Sequence, residues 1–299
     1  MLNEILSGLN IKPDGIYLDC TIGGAGHSKE IVKHLSNKGR LIGIDKDQDA
    51  LDVCKQRLKE YNNVTLVKAD FKDVENVLDS LNIQGLDGVL IDLGVSSYQL
   101  DNPERGFSFR YDAKLDMRMD KSQKLSAYEV VNTYSKQHLT RILAEYGEEE
   151  YASSIANNIV NNRPIETTKQ LASIIEKSMP TKVVYKRNGA HKKTFQAIRI
   201  EVNGELDRLF ETINYLISKL NKGGRIAILS FHSLEDRIVK NAFKINATGC
   251  LCPPKTPICI CGHKQTLELV NKKPIMASLQ EQKDNPRSTS AKLRIGEKI

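Results

Sequence analysis

Short apolar segments alternate with amphipathic ones along the first hundred residues. Four runs are short and apolar and end at acidic or glycine-containing turns, as buried β-strands do. They lie at residues 16–19, 40–45, 64–70 and 88–93. Helical periodicity fills the segments between them, at residues 28–35, 48–61 and 74–81. Strands separated by helices of this length predict βαβ units, and therefore a parallel sheet with right-handed crossovers.

The alternation stops after residue 102, and successive amphipathic helices without strand partners follow. Their patterns cover residues 126–133, 135–146, 149–161 and 168–177. Ser126 and Glu129 have the spacing of a capping box, which supports the first of these helices. We expect an inserted helical domain at residues 103–194, which recognises the substrate, between the two parts of an α/β domain at residues 1–102 and 195–299.

The strand signals resume after the insertion. The pattern predicts a long helix, a glycine turn, a buried strand, a further helix and two last strands. These lie at residues 195–220, 223–224, 225–230, 234–243, 267–270 and 291–295. The connection between the last two strands is too short and polar for a crossover helix, so they should be antiparallel. The predicted fold class is α/β, with a mostly parallel sheet and an inserted α-helical domain.

The charge of the chain suggests an acidic partner. The net charge is +7, from 44 basic and 37 acidic residues, and it favours a polyanion where the excess is clustered. Residues 182–199 carry basic side chains and no acid. This stretch is as typical of a solvated loop as of a nucleic-acid contact. No apolar run approaches the roughly 20 residues that cross a bilayer, so we expect a cytoplasmic protein without a membrane partner.

Four of the six cysteines fall together in the sequence "CLCPPKTPICIC". They are Cys250, Cys252, Cys259 and Cys261. In a reducing cytosol, clustered thiols suggest a metal before they suggest disulfides. The two C-x-C pairs are compatible with structural zinc and equally with unliganded cysteines in a loop.

The sequence "DCTIGGAGHS", residues 19–28, joins the first predicted strand to the first predicted helix. Glycines in such a turn allow a ligand to approach backbone N–H groups and the positive end of the helix. The dinucleotide fingerprint needs a third glycine three positions after Gly26, where Lys29 stands. The pattern D-x-x-x-G-G-x-G instead resembles the first motif of class I S-adenosylmethionine-dependent methyltransferases.

Acidic residues close the other predicted strands. Asp45 ends the second strand, about 20 residues beyond the turn, where a carboxylate accepts ribose hydroxyls. Asp70 and Phe71 end the third strand, where an acid and an aromatic ring suit an adenine, although Phe71 alone is better explained as a core side chain. Asp92 ends the fourth strand. These acids are expected to surround one crevice at the strand ends, and together they favour a nucleoside cofactor in it.

Long specific runs resemble the RsmH family, also called MraW. They are "DLGVSSYQLDNPERGFSFRYDAKLDMRMD", "TFQAIRIEVNGEL", "LSFHSLEDRIVK" and "NPRSTSAKLRIGEK". The resemblance implies methyl transfer from S-adenosyl-L-methionine to the exocyclic N4 amine of a cytidine in the decoding region of 16S ribosomal RNA, within the small ribosomal subunit. The implied cofactor contacts are Ala25, Gly26, His27, Asp45, Phe71, Asp92 and Gln99.

The sequence departs from this family at its start. Members usually carry a short segment with a histidine and an apolar run before "LNEIL", whereas this chain opens at Met1-Leu2. The resemblance therefore predicts no residues for the N-terminal wall of the site.

A cytosine amine is a poor nucleophile, so the enzyme must align it and accept its hydrogens. We expect Asp92, with Ser96, Ser97 or nearby backbone carbonyls, to hold the amine. His232 is either a proton acceptor or, more typically, a hydrogen-bonded structural residue. The methyl transfer needs no metal, and none is assigned to the reaction.

Basic side chains are the candidates for holding RNA phosphates. They are Arg105, Arg110, Arg118, Lys192 and Lys193. Arg105 and Arg118 have an alternative, because Asp101, Asp116 and Asp120 in the same loop could pair with them.

Two other functions are compatible with parts of this pattern. A nicotinamide-dependent oxidoreductase uses the same kind of sheet, but the missing third glycine and the basic stretch disfavour it. A non-catalytic ribosome-assembly factor would keep the fold as an RNA-binding module.

Overall fold

The computed structural model describes residues 1–186, 189–253, 256 and 258–299. The chain forms two compact units, one made of Met1–Gly94 with Asp207–Ile299 and the other of Val95–Leu206. The first unit is built of strands and helices, and the second is helical. The α/β fold class with inserted helices, predicted from the sequence, is confirmed.

The strands of the first unit form one eight-stranded sheet. They are β1 (Ile16–Asp19), β2 (Arg40–Asp45), β3 (Val64–Lys68), β4 (Leu86–Asp92), β5 (Leu220–Ser230), β6 (Leu267–Leu269), β7 (Ile275–Met276) and β8 (Lys292–Lys298). The order is β3-β2-β1-β4-β5-β8-β6, with β7 also paired to β8. Strands β1 to β5 are parallel. The antiparallel pairing predicted for the last strands is confirmed on β8.

Helices cover the apolar faces of this sheet. They are α1 (Leu2–Leu9), α2 (Gly26–Lys33), α3 (Gln48–Arg57), α4 (Val74–Ser80), α12 (Leu209–Lys219), α13 (Ser233–Asn246) and α14 (Leu279–Asp284), with 3₁₀ turns at Phe71–Asp73 and Pro286–Ser290. Ile5 and Leu9 of α1 are buried in the same core as Leu41 and Leu90 of the sheet. None of the helices in the described residues is long and apolar enough to span a bilayer.

The strand order reverses between β1 and β4, which both pair in parallel with their neighbours. In open α/β sheets, ligands bind beyond the carboxyl ends of the strands at such a switch point. Asp19, Asp45 and Asp92 are the last residues of β1, β2 and β4. The topology therefore places these acids along one edge of the sheet.

The second unit is a cluster of short helices. They are α5 (Ser97–Asp101), α6 (Ala127–Thr133), α7 (Lys136–Glu145), α8 (Ala152–Asn161), α9 (Thr168–Lys177), α10 (Thr181–Lys186) and α11 (Lys192–Asn203), with a 3₁₀ turn at Pro103–Arg105. The predicted capping box of Ser126 and Glu129 opens α6. The predicted helix at residues 149–161 begins later, since Glu149 accepts a hydrogen bond from Tyr151 N–H ahead of α8.

The long helix predicted at residues 195–220 is two helices that belong to different units. Gly204 ends α11 in a left-handed conformation with φ 58°. Phe195, Ile198 and Val202 are buried in the core of the helical unit. The unit boundaries therefore fall after Gly94 and Leu206 rather than after residues 102 and 194. The periodicity of the two helices is continuous in sequence, which is why it does not reveal the break.

The glycine turn predicted before the fifth strand lies inside β5. Register in the β4–β5 pair shifts between Leu86, which faces Leu220, and Gly88, which faces Arg225. Gly223 has φ 74°, which glycine adopts without steric cost. The predicted turn is therefore an irregularity within one strand.

The Asn203 side chain links α11 to the loop that precedes α6 through hydrogen bonds. Its Oδ1 accepts a hydrogen bond from Met119 N–H at 2.7 Å, and its Nδ2 donates to Met117 O at 2.8 Å. Asn203 is 4% exposed, so water does not replace these bonds. Two segments from the family-like runs, "LDMRMD" and "EVNGEL", are thus joined by hydrogen bonds within one unit.

We expect Asn203→Ala to lower the free energy of unfolding of the helical unit. Each backbone group left unpaired in the interior costs about 1–3 kcal/mol. Urea denaturation followed by circular dichroism measures the loss. Asn162→Ala is the matched control, because Asn162 is exposed at the end of α8 and, within the described part of the chain, its side chain donates only to Asn158 O of the same helix. Equal stability of the two variants would contradict the assigned role of Asn203.

Candidate active site

The turn between β1 and α2 presents backbone N–H groups at the start of a helix. The chain adopts left-handed conformations at Gly23 and Ala25, with φ of 50° and 60°. Ala25 is the N-cap of α2 and has no side-chain acceptor, so no side chain of the described residues caps the first amides of the helix, which also lack intrahelical acceptors by their position. A Cβ built at Gly26 meets no described atom within 4 Å. The turn therefore offers donors and open space to a ligand.

Neighbouring elements hold this turn in place. The Asp45 carboxylate accepts hydrogen bonds from Gly23 N–H and Asp47 N–H, both at 2.8 Å. From α3, Cys54 Sγ donates to Gly23 O at 3.0 Å, and Arg57 Nη1 donates to Gly24 O at 2.6 Å. Each Asp45 oxygen has a second lone pair, so the carboxylate can brace the turn and still accept from a ligand.

The three strand-end acids are hard to ionise. Burial raises the pKa of Asp19 to about 6, although Ser28 Oγ and Thr21 N–H donate to its carboxylate. Burial also raises the pKa of Asp45. For Asp92, burial and then the charges of Asp19 and Glu235 raise the pKa to about 7. A cationic ligand would favour the ionised carboxylates at this edge, and a phosphate would oppose them.

Asp92 has bonding capacity that the described residues do not use. Its Oδ1 is buried and receives no hydrogen bond from them, whereas its backbone N–H donates to Thr21 Oγ1 at 2.6 Å. His27 Nδ1 lies 3.6 Å from Asp92 Oδ2. Burial lowers the pKa of His27 to about 4, so the imidazole is neutral at pH 7 and does not neutralise the carboxylate. An unsatisfied buried acceptor is costly and suggests a ligand donor.

Phe71 follows Asp70 in the 3₁₀ turn after β3 and is 8% exposed. Asp70 caps this turn by accepting from Lys72 N–H, and it pairs with Lys46 Nζ at 3.2 Å. The predicted adenine-binding acid is therefore already engaged with two lysine residues. Only a small part of the Phe71 ring is open to a base, and its cofactor contact stays a prediction.

His232 precedes α13 (Ser233–Asn246) as its N-cap. It forms a capping box with Glu235, whose Oε2 accepts from Phe231 N–H at 2.8 Å. His232 Nε2 lies 3.1 Å from Glu235 Oε1, and the two side chains are 8% and 1% exposed. Of the two roles considered for His232, this geometry favours the hydrogen-bonded structural one.

Gln99 and the loop after it belong to the helical unit. Gln99 is 4% exposed and closes the capping box of α5, its Oε1 accepting from Ser96 N–H at 2.9 Å. Its predicted cofactor contact stays a prediction. Apart from the family resemblance, the sequence pattern indicates only a loop at this glutamine, and the S-x-x-Q spacing of a capping box is the signal that could have found the helix.

The structure does not support phosphate contacts from two of the predicted arginines. Arg105 is 2% exposed, and its Nη2 donates to Arg118 O and Met119 O, both at 2.9 Å. Arg118 forms a two-pronged pair with Asp116, at 2.9 Å from Nε and 2.8 Å from Nη2. The alternative of pairing inside the loop thus holds for Arg118, and Arg105 also ties the loop together through backbone carbonyls.

The other predicted basic residues remain accessible. Arg110 and Lys192 are exposed, and Lys193 is half-buried with its Nζ donating to Glu148 O at 2.7 Å. A ring contact brings the first two together, because Phe109 and His191, their chain neighbours, have ring centroids 4.6 Å apart. Tyr111, beside Arg110, is 49% exposed. Two exposed basic residues and an exposed tyrosine are thus adjacent in the chain to this ring contact.

Comparison with known proteins agrees with the motifs. A profile described as the MraW methylase family matches residues 1–299. Ribosomal RNA small subunit methyltransferase H of Clostridioides difficile (strain 630) is 52% identical over 303 residues, covering 100% of this chain and 97% of that protein. The protein of the same name in Finegoldia magna is 50% identical over 304 residues, with 100% and 97% covered.

Among solved structures, an rRNA methylase from Streptococcus thermophilus aligns over 100% of this chain and 93% of its own, with a TM-score of 0.42 and 10% identity. Family membership rests on the profile match and on the identity to the two relatives, which both extend over the whole chain. The chain belongs to the MraW methylase family.

Proposed function

We propose that this protein transfers a methyl group from S-adenosyl-L-methionine to the N4 amine of a cytidine in the decoding region of 16S ribosomal RNA. The observation that carries the proposal is the acidic edge at the switch point, where Asp19, Asp45 and Asp92 have raised pKa values. A sulfonium and an ammonium are cations that such carboxyl groups favour. Membership of the MraW methylase family supports the same reaction, and we expect it in the cytoplasm.

The residues at this edge fit the parts of the cofactor. The backbone N–H groups of Gly26 and His27 would bind its carboxylate, at a helix start without a capping side chain. Ala25 N–H already donates to Ile22 O at 2.7 Å, so Ala25 would contact the cofactor through its other atoms. Asp45 would accept the ribose hydroxyls with its second lone pairs. When bound, the cofactor supplies an electrophilic methyl group. Phe71 and Asp92 complete the contacts proposed from this unit, and the contact of Gln99 remains an expectation from the family resemblance.

Asp92 is the group we assign to the target amine. The amine lone pair is delocalised into the cytosine ring, and an acceptor for its hydrogens draws electron density back to nitrogen. Asp92 Oδ1 is buried and accepts no hydrogen bond from the described residues. Alignment of two bound reactants contributes on the order of 7–11 kcal/mol in the best intramolecular reactions. Positioning the amine should therefore contribute to the rate as well as accepting its proton.

A nicotinamide-dependent oxidoreductase fits the site less well. Its pyrophosphate fingerprint needs a third glycine three positions after Gly26, where Lys29 stands. The carboxyl groups at this edge would also gain no favourable interaction with a phosphate, whereas they would with a sulfonium or an ammonium. Equilibrium dialysis separates the two functions directly. We expect S-adenosylmethionine to bind and NAD not to bind, and the reverse result would refute the proposal.

Methylation of RNA itself tests the reaction. The full chain is incubated with methyl-labelled cofactor and either naked 16S RNA or small ribosomal subunits, and nuclease fragments are analysed by mass spectrometry. We expect N4-methylcytidine at one position of the decoding region, and the better substrate identifies the form of RNA that is used. Cofactor binding without any methylation would favour the assembly-factor alternative.

The accessible basic face of the helical unit is our candidate for the RNA contact. It comprises Arg110, Tyr111, Lys192 and Lys193. Cationic side chains bind phosphates, and exposed aromatic rings stack with unpaired bases. A target cytosine must be unstacked before its amine can reach a pocket, so single-stranded RNA is the expected form at this face.

We expect Lys192→Gln with Lys193→Gln to flatten the salt dependence of RNA binding. Removing one phosphate interaction lowers the slope of log K against log salt by about 0.7 for single strands. Fluorescence anisotropy at several salt concentrations measures this slope. Lys33→Gln with Lys55→Gln is the matched control. These two substitutions remove the same charge, and the lysines that they replace pair with Glu30 and Asp52. An equal slope for the two double variants would rule out the lysine contacts.

A further inference from the structure

Four cysteines converge in the segment between α13 and β6. Cys250 and Cys252 form one pair, and Cys259 and Cys261 form the other. Their four Sγ atoms all lie within 4.8 Å of one another. The loop is anchored at its ends, where Thr266 N–H donates to Asn246 O at 2.9 Å. The backbone therefore folds the two C-x-C pairs onto each other.

The sulfur separations match tetrahedral coordination of a metal ion. Four of the six separations are 3.4 Å for Cys250–Cys259, 3.6 Å for Cys259–Cys261, 3.8 Å for Cys250–Cys261 and 4.0 Å for Cys252–Cys259. The other two, from Cys252 to Cys250 and to Cys261, do not exceed 4.8 Å. At the usual zinc–sulfur distance of about 2.3 Å, a tetrahedron places its sulfurs about 3.8 Å apart. A disulfide requires about 2.0 Å. The arrangement is therefore that of ligands around a common centre.

Hydrophobic burial does not explain why these thiols meet. Cys250, Cys259 and Cys261 are exposed, and Cys252 is only half-buried. The apolar side chains of the same loop also face solvent, Leu251 at 47%, Ile258 at 77% and Ile260 at 84% exposed. A loop that buries so little apolar surface needs another source of folding free energy, and a bound metal supplies it in small elements of this kind.

A backbone contact supports the ligand role. Leu251 N–H donates to Cys261 Sγ at 3.4 Å. Hydrogen bonds of this kind from outside the ligand set orient metal-binding side chains. Four thiolate ligands in a tetrahedron favour zinc or iron, and they leave no open position for a substrate or a water molecule.

We propose that Cys250, Cys252, Cys259 and Cys261 bind one zinc ion that is structural and takes no part in methyl transfer. The ion closes the loop between α13 and β6 and holds its two ends in register. This site is independent of the cofactor and RNA contacts proposed above. Failure of either proposal would leave the other standing.

Metal analysis of the full chain, purified without chelators, tests the proposal directly. We expect a single zinc ion per chain by mass spectrometry and no cysteine disulfide in the unreduced protein. Iron in place of zinc, a disulfide within the cluster, or metal-free protein with four reactive thiols would each overturn it. This measurement needs no variant, so misfolding of a mutant does not affect it.

Variants and a spectroscopic probe locate the ion. Cys259→Ser should lose the zinc on dialysis, whereas Ile258→Ser, one position earlier and also exposed, should keep it. Cobalt(II) added to the chelator-treated protein should give thiolate-to-metal charge-transfer absorption and tetrahedral ligand-field bands. Chelation should speed hydrogen exchange in residues 247–265 and leave β4 and β5 protected. Zinc retained by Cys259→Ser, or unchanged exchange in that loop, would contradict the structural role.

Discussion

Asp92→Ala is expected to lower the single-turnover rate of RNA methylation by about 10²–10⁴-fold, the usual contribution of a positioned proton acceptor. Asp92 ends β4, and its buried Oδ1 is an acceptor without a donor among the described residues. The rate is measured with saturating cofactor and RNA, so that weaker binding does not enter the result. Cofactor binding by the variant is checked by calorimetry. An unchanged rate at saturation would remove Asp92 from the reaction.

Asp92→Asn separates the two properties of this side chain. The amide keeps an oxygen that accepts a hydrogen bond but has no negative charge. We expect a smaller loss of rate than in Asp92→Ala, because the amide oxygen still orients the amine. Equal losses in the two variants would mean that the charge, rather than the hydrogen bond, matters.

The pH dependence follows from the raised pKa of Asp92, about 7. The ionised carboxylate is the form that accepts hydrogens, so the single-turnover rate should rise with pH and then level off. The midpoint should lie below the pKa of the free protein, because the bound cationic cofactor favours ionisation. In Asp92→Asn this rise should disappear.

The free energy of unfolding should fall with rising pH, whereas the methylation rate should increase. The folded protein keeps this proton at pH values where the unfolded chain has lost it. The free energy of unfolding therefore falls as pH rises from the ordinary carboxyl range to about 7. Asp92→Asn should remove that part of the fall, and the same profile in both proteins would contradict the assignment of the pKa.

Gly26→Leu is expected to weaken binding of S-adenosylmethionine without unfolding the protein. Gly26 is the first residue of α2, and a Cβ there meets no described atom within 4 Å. The new side chain would fill the space proposed for the cofactor. Overpacking typically costs about 1–3 kcal/mol, which corresponds to roughly 5- to 150-fold in Kd. Calorimetric titration measures the affinity, and thermal melting reports stability.

A graded substitution controls for indirect effects. Gly26→Ala adds one carbon and should weaken binding less than Gly26→Leu, while the melting temperature stays similar in both. If Gly26→Leu binds the cofactor as tightly as the unchanged protein, the space beside Gly26 is not part of the cofactor site. A fall in affinity that follows a fall in melting temperature would point to damage of the turn instead.

Local signals determined the elements that position the site. The strands that end at Asp19 and Asp45 have the bounds that the apolar runs predicted, because a buried parallel strand is a short apolar run. The turn at residues 19–28 was predicted from the glycines and the acid that lie between a strand and a helix. These features depend on residues close in sequence, and local sequence is enough to predict them.

Long-range contacts decided which basic residues are available. Arg105, Arg110 and Arg118 lie in one loop and look alike in sequence, yet Arg105 is buried and Arg118 is paired with Asp116, while Arg110 is exposed. Similarly, Cys54 and Arg57 brace the glycine turn from α3, and no local pattern marks them. The direction of a long side chain depends on partners that folding brings near it.

By itself, the sequence determined the fold class, the alternating strands and helices of the first hundred residues, the glycine turn and, through its family-like runs, the chemistry to expect. Only the tertiary structure decided where the helical unit begins and ends, that Asp92 has an unused buried acceptor, and that four cysteines converge on one point. The physical reason is that periodicity and turn chemistry act between neighbours in the chain. Burial, pKa shifts and ligand geometry instead arise between groups that are far apart in sequence and meet only in the folded protein.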